Sequence, residues 1–225
     1  WEAHTDMRVK ALVDYIVSQK GSPKVYLLNQ DYAFGQAISR AAREMLKAKR
    51  PDIQIVGDDL HPLGKVKDFA PYVSKIRSAG ADVVLTGNWG QDLSLLVKAS
   101  KEAGLDAVFY TLNAHTAGIP GSLGKAGAEH VRQVVGWHAN VANNKLEKTA
   151  ADYRKRFGED YWLYWPKLQI DMVAKAIDTA KSADPLKVAH ALHGMKFESA
   201  TGAVEMRATD HQLIAPEYIA TFTKT

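Results

Sequence analysis

Cysteine is absent from the 225 residues, which excludes disulfides and thiolate metal sites. Many exported bacterial proteins share that absence, and so do many cytosolic ones. No apolar run approaches the roughly 18 residues that a membrane-spanning helix needs, so nothing in the sequence reads as transmembrane. Excess charge of one sign is also scarce: 29 Lys and Arg stand against 25 Asp and Glu, a formal net charge of +4. The cations are scattered among acids, with Lys47, Lys49 and Arg50 the densest group. No basic stripe with interleaved aromatics runs through them, so they read as a solvated face rather than a nucleic-acid patch. The sequence opens at Trp1 without a Met or a basic-then-apolar leader. That fits a removed signal or a fragment of a longer chain.

What is present is ordinary for a globular protein: 46% hydrophobic and 24% charged residues. The length suffices to bury a core without staples. From Thr5 to Asn140, short β-rich runs alternate with amphipathic helical patterns. Val9, Leu12, Val13 and Ile16 share one face of a first helix that stops at Gly21. Lys24–Asn29 comes next as a strand, then a helix from about Gly35 with Ile38, Ala41, Ala42, Met45 and Leu46 on one stripe. Pro51 forbids its continuation. Ile53–Val56, Ala81–Leu85, Val108–Thr111 and Val131–Val135 read as further strands. Asp68 is the expected N-cap of a helix over Phe69–Ser78, and Gln91–Ala103 carries Leu95, Leu96, Ala99 and Ala103 as its apolar stripe. Strands separated by helices imply right-handed crossovers and a mostly parallel, doubly wound α/β sheet. In such folds the ligand lies beyond the carboxyl ends of the strands. The loops to inspect are therefore Gln30–Phe34, Gly87–Gly90 and Leu112–Gly118.

After Asn140 the pattern turns helical, over Asn143–Phe157, Pro166–Lys181 and Pro185–His193. The last has Asp184 as N-cap and Pro185 at its first position. No buried-type strand interrupts these helices. The tail, Gly202–Arg207 and Pro216–Phe222, reads as a β-hairpin around Thr209-Asp210-His211. A helical block without a sheet must bury its apolar stripe elsewhere, so the organisation looks incomplete.

Catalytic signatures fail. Neither H-E-x-x-H nor G-x-S-x-G occurs. Gly118–Lys125 looks like a phosphate loop, but Ile119 stands where the first Gly is required and Ala126 where a magnesium-holding Ser or Thr belongs. It reads as a flexible loop or a helix start. His190 and His193 are three apart on one helix with no third ligand at suitable spacing, so no metal site is expected. Asp58-Asp59 and Glu159-Asp160 read as solvated acids rather than general acid–base pairs. There remain aromatic and amide side chains on the three strand-end loops: Tyr32 and Phe34, Asn88 and Trp89, Asn113 and His115. Aromatic walls with a few fixed hydrogen-bonding groups are the usual make-up of a small-molecule site. No nucleophile–base pair lies among them, so binding rather than turnover is expected, without a cofactor.

The segment Val25–Gly35, with Asp31 and Gly35 spaced as D-x-x-x-G, resembles the strand, loop and helix start of the branched-chain amino acid-binding proteins. These are type I periplasmic solute-binding proteins of ABC importers. Asp68–Ile76 followed by Ala79–Val84 is similar to that family's next helix and strand, and Gly87-Asn88-Trp89 to its following loop. Asp184–Ala189, Leu192–Phe197 and Thr201-Gly202 resemble its C-terminal pattern. These stretches run in the family's order along nearly the whole chain.

The resemblance implies two doubly wound lobes that close on a ligand by a hinge, an exported (periplasmic) location and a membrane permease as partner. It also implies that an N-terminal stretch carrying the first lobe's sheet is missing here. Residues 1–140 would form the second lobe, 141–202 a helical segment of the first, and 203–225 a hairpin returning to the second. The missing lobe, or a second copy, would cover the helices of 141–202. Phe34 and Trp89 fall where the family places aromatics against its ligand, and Asn113 where it places an acid that pairs with the ligand ammonium. A buried ammonium without a counter-charge costs several kcal/mol. A neutral amide there favours a hydrophobic or aromatic carboxylate, or an amide, over an ordinary α-amino acid. A ligand-sensing regulator of the same fold, of the amide-sensor type, is the competing expectation.

Overall fold

The computed structural model describes residues 3–142 and 144–223. Asn143, the expected start of a helix, lies outside them. The chain divides into two compact units: Thr5–Val135 with the segment from Ile219, and Gly136–Tyr218 with the segment up to His4.

The first unit alternates helix and strand: α1 (Thr5–Ser18), β1 (Val25–Gln30), α2 (Ala33–Lys49), β2 (Ile55–His61), α3 (Ala70–Ser78) and β3 (Val83–Thr86). It continues with α4 (Gly90–Glu102), β4 (Val108–Thr111), α5 (Ile119–Gly127) and β5 (Val131–Val135). The strands β1 to β5 pair in parallel as the crossovers require. Successive strand side chains point to opposite faces, and the core splits accordingly. Val25, Leu27, Val83, Leu85 and Tyr110 meet α1 and α2 on one face. Tyr26, Leu28, Val84, Phe109 and Val131 meet α3, α4 and α5 on the other. Both faces are covered, which is why β1 and β3 are apolar without alternation.

Gly35 has a packing reason. The first turn of α2 sits against the end of β1, and a Cβ at Gly35 would run into the Gln30 carbonyl oxygen. The helix α3 begins one residue later than expected, with Phe69 rather than Asp68 at the N-cap position, and the Asp68 carboxylate accepts from the Ala70 amide (2.8 Å) from one residue before it. The α4 stripe is rotated from the expected one. Asp92, Leu93, Leu96, Val97 and Ser100 are its buried residues, while Leu95, Ala99 and Ala103 are only partly buried. Two polar residues on the inner face disguise it. Ser100 satisfies its hydroxyl on the Leu96 carbonyl at 2.8 Å, and Asp92 is held by partners outside the helix. Gly118–Lys125 is the N-cap and most of the length of α5.

The second unit holds α6 (Glu147–Phe157), α7 (Tyr164–Ala180), α8 (Pro185–Leu192), β6 (Lys196–Ser199), β7 (Gly202–Met206) and β8 (Leu213–Ile214). The last strand, β9 (Tyr218–Thr221), lies beside β5 as an edge of the larger sheet. Asp184 caps α8 by accepting from the Lys187 amide at 3.1 Å, as expected.

Three expectations are corrected here. The units meet at Val135/Gly136 rather than after Asn140. The strand β7 does not pair with residues 216–222: it sits between β6 and β8 in a three-stranded antiparallel sheet, and only β9 joins the larger one. The turn at Thr209-Asp210-His211 is real, closed by Arg207 on Asp210, but its second strand is only Leu213–Ile214. The helical block also has a core of its own. Leu168, Met172, Ala176 and Leu192 pack with Val204, Met206 and Leu213 from the small sheet. That sheet is hidden in the sequence because β6 is mostly open to solvent and carries Lys and Glu on its exposed side.

Candidate functional site

The larger sheet runs in the order β2-β1-β3-β4-β5-β9. Chain order reverses between β1 and β3, so the loops after these strands turn to opposite faces, one into α2 and the other into α4. Such a switch point leaves a crevice at the carboxyl ends of the strands, where open α/β sheets bind ligands. Two of the three expected loops, Asp31–Tyr32 and Gly87–Trp89, flank it.

The floor of the crevice is polar and fixed. Asn29, fully buried, donates to the Ser39 hydroxyl (2.8 Å) and accepts from the Gly87 amide (2.6 Å), tying β1 to α2 and to the loop after β3. Gln30 donates to the Asp92 carboxylate at 2.7 Å, and the Gly64 amide donates to the same oxygen at 2.8 Å. Asp92 lies in the first turn of α4, where the helix dipole favours its negative charge. His61, at the end of β2, places Nε2 3.0 Å from Asn88 Oδ1 and packs edge-on to Phe69. Two polar atoms of this floor lack partners among the described residues, Gln30 Oε1 and Asn88 Nδ2.

Above the floor, Trp89 Nε1 donates to the Tyr32 hydroxyl at 2.9 Å across the switch point. The Tyr32 and Phe34 rings lie 6.0 Å apart, and Phe34 also packs on the core beneath α2. Trp89 is 45% exposed, an unusual solvent share for the largest apolar side chain and a candidate ligand wall. On the neighbouring strand, the loop after β4 carries Asn113 and His115. The Thr116 hydroxyl donates to the Asn113 carbonyl (3.0 Å), and the Arg8 guanidinium donates to the Leu112 carbonyl. The Asn113 carboxamide has no hydrogen bond among the described residues and is half-buried. His115 Nδ1 lies 3.0 Å from Gln133 Oε1, and burial lowers the imidazole pKa to about 4.

Of the six expected residues, the structure joins Tyr32, Phe34 and Trp89 into one aromatic group and sets Asn113 and His115 on one loop. Asn88 differs: it is fully buried and turned toward His61. Sequence reading missed His61, Gln30, Asp92, Gln133 and Arg8. The available signal was a polar residue ending or interrupting an apolar strand, as at Gln30, His61 and Gln133. Among the described residues no three His, Asp or Glu side chains come together as a metal-ligating group, and no helix is long and apolar enough to cross a membrane.

A family model described as periplasmic binding protein matches residues 1–225. The Leu/Ile/Val-binding protein homolog 4 of Brucella abortus (strain 2308) is 31% identical over 209 residues, which are 89% of this chain and 49% of that protein. This chain thus spans about half the length of that relative. The closed leucine-, isoleucine-, valine-, threonine- and alanine-binding protein of Brucella ovis superposes with a TM-score of 0.84 at 26% identity, over 99% of this chain and 58% of the other. A solute-binding protein of an ABC transporter from Rhodopseudomonas palustris BisB5, in complex with 3,4-dihydroxybenzoic acid, shares the fold with a TM-score of 0.84 at 22% identity. There the match covers 98% of this chain and 61% of the other.

Proposed function

The chain belongs to the periplasmic binding protein family, and on that premise we propose that it is the ligand-capturing part of an extracytoplasmic receptor feeding an ABC importer. The full-length protein takes a small hydrophobic or aromatic carboxylate, an amide or a branched-chain amino acid, holds it by closure of two lobes and hands it to a membrane permease. Thr5–Val135 with β9 is the second lobe in this reading, and Gly136–Tyr218 belongs to the first. Binding shifts a pre-existing equilibrium toward the closed form, because only that form makes every ligand contact.

The observation that carries the reading is the bond from Trp89 Nε1 to the Tyr32 hydroxyl over the switch point. It lays an exposed aromatic surface over the crevice where this topology takes ligands. Tyr32, Phe34 and Trp89 supply the wall, Asn113 and His115 the polar contacts, and Asn88 braces the Trp89 loop from below. The neutral Asn113 supports a carboxylate or amide over an α-amino acid, since an ammonium beside it would lack a counter-charge.

The test is a tryptophan-fluorescence titration of the full-length protein with leucine-type amino acids and with aromatic carboxylates. A saturable response to the acids, lost in Trp89→Ala, supports the reading. A response to leucine alone overturns the part assigned to Asn113, and silence to both classes overturns the ligand class altogether.

A further inference from the structure

Gln133 is the one polar residue in the last parallel strand whose side chain is almost wholly buried, at 3% exposure. It sits opposite Thr111 in the β4–β5 register, directly under the loop that carries His115. With the Gln133 carboxamide turned so that Oε1 lies 3.0 Å from His115 Nδ1, that oxygen accepts a hydrogen bond from a ring N–H at Nδ1, the tautomer this orientation favours. The ring is neutral at physiological pH. Burial pushes its pKa down to about 4, the Arg8 charge pushes the same way, and the Gln133 bond offsets only part of this. A neutral imidazole protonated at Nδ1 carries its lone pair on Nε2. That atom has no hydrogen-bond partner among the described residues, and it is absent from the buried polar atoms left unsatisfied. Its lone pair is therefore not engaged by the described residues. The loop that presents it is fixed on both sides of Asn113, by Thr116 on the Asn113 carbonyl and by Arg8 on the Leu112 carbonyl.

We propose that His115 accepts a hydrogen bond at Nε2 from a hydroxyl or amide N–H of the ligand, and that Gln133 is the positioning residue that keeps Nε2 an acceptor. This rests on the ligand reading above and sharpens it: within its carboxylate class the site favours members bearing a donor. A ligand offering only an acceptor would face lone pair against lone pair. A site built to receive a donor discriminates against analogues lacking one more strongly than an apolar pocket discriminates by size.

The full-length protein is titrated with benzoate, with 3- and 4-hydroxybenzoate, and with the matching methoxybenzoates, which keep the oxygen and lose the donor. At least one hydroxybenzoate is expected to bind about tenfold tighter than its methyl ether, the worth of one well-placed hydrogen bond. His115→Leu is expected to bring that ratio close to one, whatever it does to the affinity for benzoate itself. Gln133→Glu places a carboxylate on Nδ1, favours the imidazolium and turns Nε2 into a donor, so the ratio should move toward the ether. A wild-type ratio near one for both pairs, or a ratio unchanged in His115→Leu, overturns the inference. Benzoate binding without a hydroxyl preference sinks this inference alone, whereas no binding by any of the five acids sinks the carboxylate reading beneath it. The wild-type ratio needs no variant, so a misfolded mutant cannot leave the matter open.

Discussion

Trp89 and Tyr32 stand on loops that leave adjacent parallel strands toward opposite faces of the sheet, and they meet through one bond, indole N–H to phenol oxygen at 2.9 Å. Neither side chain is fully buried, so burial alone does not hold them. The polar floor does. Asn29 accepts from the Gly87 amide at 2.6 Å, and the Thr86 hydroxyl accepts from the Asn88 amide at 3.1 Å, so the backbone entering Trp89 has little freedom. An exposed indole on a fixed backbone is a preorganised contact surface, which reduces the ordering cost of binding.

Tyr32→Phe should release the indole and leave its backbone in place. The bond is partly exposed, so its loss should cost roughly 0.5–1.5 kcal/mol at most in stability. The larger effect should be a red-shifted, broader emission from Trp89. It is read as the difference between Tyr32→Phe spectra with and without an added Trp89→Phe change, because four other tryptophans contribute. Identical difference spectra in the wild-type and Tyr32→Phe backgrounds would mean that the bond does not set the indole's environment.

His115 gives the fold a pH dependence of known sign. Its pKa is about 4 in the folded protein, against an ordinary value of 6.5. Burial is the main cause, Arg8 on α1 acts in the same direction, and Gln133 on β5 opposes them. Between those two values the unfolded chain binds more proton than the folded one, so this residue's contribution is fully present above about pH 6.5 and is lost as pH falls toward 4. His115→Phe removes the titration. The wild-type urea midpoint should therefore fall more steeply than the variant's between pH 7 and pH 4.5. Parallel profiles would refute the assignment.

Asp92 should be a keystone of the crevice floor. It is buried, at 3% exposure, and one of its oxygens accepts from both Gln30 Nε2 and the Gly64 amide. Asp92→Ala leaves both donors without that acceptor, at about 1–3 kcal/mol for each buried group left unmet. Asp92→Asn keeps one acceptor oxygen and should cost less. Urea unfolding that ranks Asn between wild type and Ala supports the network; equal losses would assign the effect to charge or packing instead.

Strand and helix periodicity reveals the larger unit, because parallel strands buried on both faces and amphipathic helices are local patterns. Non-local matters stay hidden. The α4 stripe misleads because Asp92 and Ser100, polar by type, lie on its buried side. The tail misleads because β7 could pair with β6 or with a later segment, and only packing against Leu168, Met172 and Leu192 decides between them. At the site, aromatic and amide residues on strand-end loops can be picked out from position alone. That Asn88 turns inward to His61 cannot, since it depends on where β2 ends relative to β3. Gln133 is marked in the sequence as a polar residue interrupting an apolar strand, but its pairing with His115 is not, since that depends on the register with Thr111.

The Asp31-x-x-x-Gly35 spacing can itself be tested, because its glycine has a steric cause. Gly35 is buried in the first turn of α2, and a Cβ there would meet the Gln30 carbonyl oxygen, backbone that has no rotamer in which to retreat. Gly35→Ala must therefore push α2 off the end of β1, carrying Ile38 and Ser39 with it and straining the bond from Asn29 to Ser39. Overpacking of this kind costs about 1–3 kcal/mol. Gly121 is the contrasting position: it also lies in a helix, α5, but a Cβ there would meet nothing within 4 Å. Gly121→Ala should leave stability unchanged or raise it by roughly 0.5–1 kcal/mol through reduced unfolded-state entropy. Urea midpoints for the two variants should thus move in opposite directions or, at the least, only Gly35→Ala should fall. If Gly35→Ala is as stable as wild type, α2 has room to shift at its start, and the spacing is kept for some reason other than the approach of Gly35 to Gln30.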